Sequence, residues 1–103
     1  MDIFLKITNE AGAIYRRYGA INSGTMRVTE ATAKYGCMGL TNVVAVDTGE
    51  ELFIGVDSFR NSEECRSLMT KIDADPRINE LYQQIKDVVE LARVIRWEAE
   101  DVD

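Results

Sequence analysis

The chain has 103 residues, 46% of them apolar and 29% charged, a balance that suits one globular domain with a modest core. Its 12 basic and 18 acidic residues give a formal net charge of −6, and the basic residues are scattered, which argues against nucleic acid as a partner. It has no histidine, which excludes Ser-His-Asp and Cys-His nucleophile systems, a histidine general base and His-ligated zinc.

The start, Met1-Asp2-Ile3-Phe4, lacks the positive charge and small-residue cleavage site of a signal peptide, so a cytoplasmic location is expected. Ile3, Phe4, Ile7, Ala11, Ile14, Tyr15 and Tyr18 then recur at intervals of three and four, which predicts an amphipathic helix over residues 2–18 with Gly19 as its stop. The competing reading makes residues 3–7 a short strand and starts the helix after Thr8 or Asn9. In residues 20–33, Met26 and Val28 alternate with Thr25, Arg27 and Thr29, the period of a half-buried strand. Residues 34–39 hold two glycines and read as a loop.

Residues 41–47 and 51–57 read as two strands of a hairpin closed by Asp47-Thr48-Gly49-Glu50, where glycine supplies a positive φ. Apolar residues occupy consecutive positions in both, so both faces are expected to be covered. Asn61 is a natural cap for the next helix, with Glu64 as its capping-box partner and Cys65, Leu68, Met69 and Ile72 as its apolar stripe. Asp75-Pro76 ends that helix and begins another, whose stripe is Ile78, Leu81, Tyr82, Ile85, Val88 and Val89. Residues 94–99 alternate again and read as a last strand, with Ile95, Trp97 and Ala99 on one side and Arg96 and Glu98 on the other. No apolar run approaches the roughly 20 residues of a membrane span, so no membrane partner is expected.

This order predicts one α+β domain over residues 1–103: a two-layer sandwich with an antiparallel-rich sheet and helices mainly on one face. The chain also resembles the YbaA-like family of small uncharacterised proteins, in the dimeric α/β-barrel group of ferredoxin-like folds. The matching stretches run from Phe4-Leu5-Lys6-Ile7 through Ala11-Gly12-Ala13-Ile14-Tyr15-Arg16-Arg17-Tyr18-Gly19-Ala20, then Asn42-Val43-Val44 to Phe53-Ile54-Gly55-Val56. They continue from Ser62 through Asp73-Ala74-Asp75-Pro76-Arg77-Ile78 and close on Ala92-Arg93-Val94-Ile95-Arg96-Trp97. The resemblance implies a ferredoxin-like fold and a homodimer. The family begins with a strand ahead of its first helix, whereas the match here starts almost at Met1. Residues 2–7 serve as that strand, the last strand moves into the gap, or pairing between chains fills it.

Asp73, Asp75 and Arg77 at the helix break read either as a carboxylate pair with a guanidinium that holds a metal or polarises a substrate, or as a cap with its ion pair. Tyr15, Tyr18, Tyr35 and Tyr82 read either as core or as the hydroxyl rim of a small-molecule pocket. Tyr15, Tyr35, Asp73 and Arg77 are therefore the candidate ligand-binding residues. Cys37 and Cys65 are expected to be free thiols buried in the core, with a reactive Cys37 as the sharper alternative. No spacing recommends a metal site, no phosphate-binding glycine loop is present, and no cofactor is expected. The functional expectation is a homo-oligomeric or ligand-binding domain without catalytic machinery. The alternative, from fold analogy, is a cofactor-independent monooxygenase-like or isomerase-like enzyme acting on a small organic molecule.

Overall fold

Side chains that cap backbone amides set where each helix begins. In a computed structural model that describes residues 2–102, α1 spans Ile3–Tyr18, and the Asp2 carboxylate accepts from the Leu5 amide at 3.1 Å. Gly19, at φ 124°, closes the helix and returns its amide to the Arg16 carbonyl. The continuous-helix reading of residues 2–18 therefore holds over its strand alternative. Strands β1 (Asn22–Arg27) and β2 (Phe53–Ser58) form a two-stranded sheet. They are antiparallel, since Ile21 donates to the Ser58 carbonyl at one end and Val28 to the Leu52 carbonyl at the other. Helices α2 (Ser62–Asp73) and α3 (Pro76–Ile85) follow, and short 3-10 turns lie at Leu40–Asn42 and Leu91–Arg93.

The result is a mixed α+β fold. The chain divides into two compact units, one made of residues up to Gly24 and from Val56 onward, the other of Thr25–Gly55. In the first unit the three helices pack on one another. Ile7 and Ile14 of α1 meet Leu81 of α3, with Ala11, Tyr18, Ile78 and Ile85 around them, while Leu68 and Ile72 bury the inner side of α2. Gly12 lets α1 approach β1: a Cβ there would lie 3.0 Å from the Ser23 carbonyl oxygen and 3.5 Å from its hydroxyl. Arg16, one turn on, donates to that same Ser23 carbonyl.

The sheet has two unlike faces. Ser23 lies across from Asp57, Thr25 from Gly55 and Arg27 from Phe53, and α1 meets the Ser23 side. By strand alternation Met26, Ile54 and Val56 point the other way, where they are 58%, 36% and 39% exposed. The expectation that both faces are covered is therefore corrected.

In the second unit, Lys34 and Cys37 exchange both backbone hydrogen bonds across Tyr35 and Gly36, at φ 56° and 79°. Positive φ at both central positions is the signature of a type I′ turn. The expected strand over residues 41–47 does not form. The Asn42 side chain accepts from the Gly39 amide at 2.8 Å, and the Val43 and Val44 amides both return to the Leu40 carbonyl. This local bonding takes the donors a ladder would need. The turn at 47–50 does form, with Gly49 at φ 87° and Glu50 donating to the Asp47 carbonyl. It joins no hairpin, because β2 pairs with β1 instead.

Four smaller expectations are also corrected. α3 ends at Ile85, so Val88 and Val89 lie beyond it, and residues 94–99 form no strand. Glu64 supplies the amide that Asn61 caps, but its carboxylate pairs with Arg60 at 2.8 Å. Both cysteines are free, with Cys37 exposed and Cys65 half-buried, so neither thiol is sealed in the core.

Candidate functional site

The Asp75-Pro76 break forces the chain to reverse between α2 and α3, and it gathers polar groups against α1. Asp75 caps α3, accepting from the Arg77 and Ile78 amides at 2.8 and 3.1 Å through Oδ1. Its Oδ2 accepts from the Tyr18 hydroxyl of α1 at 2.7 Å. Arg77 forms a two-pronged ion pair with Glu10 of α1, at 2.5 Å from Nε and 2.8 Å from Nη2. Asp75 and Arg77, two of the three residues that suggested a metal or substrate grip, are thereby occupied in fastening α3 to α1. Among the described residues, no group of three or more acidic or cysteine side chains is placed to hold a metal ion.

These contacts set the charges. The Tyr18 hydrogen bond, followed by the Ile78 amide, holds the Asp75 carboxyl below its ordinary value. The Arg77 hydrogen bond does the same for Glu10, and Asp75 pushes the Tyr18 phenol up. A carboxylate with a lowered folded pKa contributes stability that is present above its unfolded value near 4 and is lost as pH falls through the folded one. A tyrosine with a raised pKa contributes stability that is present below about pH 10 and is lost as pH rises through its folded value. Thermal unfolding followed from pH 7 to pH 2 should therefore show Tm falling below about pH 4. Asp75→Asn should flatten part of that acid limb, and an unchanged limb would rule out the Asp75 contribution. Tyr18→Phe should remove the Tyr18 share of the alkaline loss.

A second grouping surrounds Tyr15, which is half-buried on α1. Burial pushes its phenol up, and the carboxylates of Asp57 and Asp73 add to the rise while Arg96 opposes it. Asp57, near the end of β2, accepts from the buried Ser23 hydroxyl at 2.6 Å. Asp73 ends α2, and its backbone carbonyl accepts from the Asn79 side chain at 3.1 Å. The structure thus brings Tyr15 and Asp73 into one electrostatic neighbourhood. Arg77 is engaged with Glu10, and Tyr35 stands at the tip of the type I′ turn, 91% exposed with the Lys34 ammonium 5.5 Å from its ring centre.

Sequence reasoning did not pick out Ser23, Asp57 and Glu10. Glu10 sits 67 residues from Arg77, and no spacing announces that pair. Ser23 and Asp57 meet only because β2 pairs with β1 in this register. An open hollow of about 230 Å³ lies in the second unit, lined by Arg27, Val28, Ala31, Thr41, Val46, Glu50, Glu51 and Leu52. None of the four candidate residues lines it. No helix of the described residues is long and apolar enough to cross a membrane. No protein-family model matches the chain, and neither a curated protein nor a solved structure matches it.

Proposed function

We propose that the chain is a homo-oligomeric cytoplasmic domain that pairs with a second copy of itself, and that its polar groups serve structure rather than catalysis. The observation that carries this reading is the sheet face turned away from α1. Met26, Ile54 and Val56 stand there between one-third and three-fifths exposed. A two-stranded ribbon is marginal by itself in water, and an apolar face gains by excluding solvent against a partner. A second copy is the simplest occupant, because a two-fold axis lays the same stripe on itself. The resemblance to a dimeric, ferredoxin-like group supports the same assembly. Two free thiols, one of them exposed, suit a reducing compartment.

Light scattering on the eluting protein at micromolar concentration should give the mass of a dimer or larger. The double variant Met26→Glu, Ile54→Glu should give a monomer whose helical circular dichroism is retained, since neither side chain belongs to the helical core. A monomeric wild-type chain would remove the reading.

The enzyme reading rests on one observation, the half-buried Tyr15 beside Asp57, Asp73 and Arg96. A monooxygenase-like or isomerase-like site would draw its polar groups from there, with Tyr15 and Asp73 as the members foreseen from sequence. The raised Tyr15 phenol stays protonated at neutral pH, so it would act as a hydrogen-bond donor rather than as a base. A thermal-shift screen of aromatic acids, quinones and nucleotides tests this reading, which requires a stabilising ligand whose effect is lost in Tyr15→Phe.

A further inference from the structure

The second unit, Thr25–Gly55, has no sealed core of its own. Every buried apolar side chain among the described residues, from Ile7 to Leu81, belongs to the first unit. In the second, Val28, Ala31, Val46 and Leu52 are only half-buried, and all four line its open hollow of about 230 Å³. Arg27 and Glu51 line the same hollow, with Arg27 Nε 3.3 Å from Glu51 Oε1 and both side chains about half exposed. We propose that this hollow binds a small zwitterion with an aliphatic side chain, a free α-amino acid of the leucine or valine type.

The apolar lining and the charged pair fit the two halves of one molecule. Aliphatic side chains left partly in water gain when they are covered, and an alkyl group seated on Val28, Ala31, Val46 and Leu52 supplies the core that this unit lacks. Arg27 and Glu51 present opposite charges side by side. A ligand with a single charge would satisfy one of them and crowd the other with its own sign. An α-amino acid instead brings a carboxylate to Arg27 and an ammonium to Glu51, with one carbon between them. The pair is loose enough to open around such a ligand: 3.3 Å exceeds the roughly 2.7–2.9 Å of a strong charge-assisted hydrogen bond, and exposed ion pairs hold weakly. The Phe53 ring, with its centre 5.5 Å from the Arg27 guanidinium carbon, steadies the cation meanwhile. Size agrees, because the hollow is smaller than the roughly 300–1,000 Å³ of sites for drug-sized ligands. The site lies wholly within one unit and shares no residue with the sheet-face stripe or the Tyr15 grouping, so it goes beyond both readings above.

The test titrates the full-length protein with L-leucine and L-valine by calorimetry. Glycine, 4-methylpentanoate and 3-methylbutylamine run beside them; relative to leucine they lack the side chain, the ammonium and the carboxylate in turn. Leucine should bind saturably, and each of these three analogues should bind about tenfold more weakly or worse. Arg27→Gln and Glu51→Gln, both at exposed positions, should each weaken leucine about tenfold while leaving the ligand-free Tm nearly unchanged. Leucine should also slow hydrogen exchange at the Val28 and Glu50 amides, which bond to the Leu52 and Asp47 carbonyls inside this unit, and leave α1, α2 and α3 unaltered. No saturable binding of either leucine or valine would overturn the site. Equal affinity for leucine and 4-methylpentanoate would overturn the zwitterion in favour of a simple carboxylate. Leucine bound undiminished by both glutamine variants, or protecting the helices instead, would place it elsewhere and overturn the proposal as well.

Discussion

Replacing Ile72 by alanine is expected to destabilise the protein by about 2–5 kcal/mol, the range for removing a fully buried aliphatic side chain and leaving a cavity. Ile72 has no accessible surface, and the buried apolar set of the described residues is small: Ile7, Ile14, Ala20, Leu68, Ile72 and Leu81. A domain of this length has about 5–15 kcal/mol in total, so one truncation removes a large share. In urea the midpoint should fall sharply at unchanged slope, and Tm should drop by roughly 10–20 °C. Ile21→Ala is the control, since Ile21 is 66% exposed and its loss should stay within about 0.5 kcal/mol. Equal effects for the two would mean that α2 does not face the core as described.

Gly39→Ala should be nearly as damaging, for a different reason. Gly39 has φ −81°, a backbone conformation open to any residue, so conformational freedom is not the issue. The constraint is space: a Cβ there would lie 2.1 Å from the Ala31 carbonyl oxygen and 2.5 Å from the Thr32 carbonyl carbon. Backbone atoms cannot rotate aside as a flexible side chain can, so the 31–33 stretch and the turn at Leu40–Asn42 must separate. The cost expected for such overpacking is about 1–3 kcal/mol. Hydrogen exchange should quicken at the amides of Asn42, Val43 and Val44, which this turn protects. Gly24→Ala meets nothing within 4 Å and should leave exchange in that turn unaltered. If both substitutions behave alike, the close approach of 39 to 31–33 is wrong.

The helices were legible because their signals are local. Asp2, Asn61 and Asp75 each cap the amide two or three residues ahead, and Gly19 closes α1 within one turn of its end. A reader needs only the spacing of polar caps and apolar stripes to place them. The sheet was legible only in part. Residues near Met26 and Ile54 were recognisable as strands, but their partner was not: turn chemistry at 47–50 favoured a hairpin with 41–47, while Asn42 bonds to Gly39 and withdraws that stretch. Pairing between β1 and β2 spans about thirty residues, and no periodicity encodes such a choice. The candidate site divides in the same way. Asp75 was readable as a cap, but its bond to Tyr18 and the Arg77–Glu10 pair link residues 57 and 67 positions apart, which only tertiary packing decides. Tyr35 misled because a tyrosine in the left-handed region of a tight turn carries no mark in the sequence.

The Arg16 side chain lying on the Ser23 carbonyl also covers part of the outer edge of β1. A ribbon with both margins open templates endless stacking, the route to fibres. Here the guanidinium takes up one outward carbonyl of β1, which makes that margin a poorer template. Solubility at high protein concentration would then depend on a residue that touches neither the core nor any ligand, and Arg16→Ala would be the substitution that makes the protein prone to precipitate.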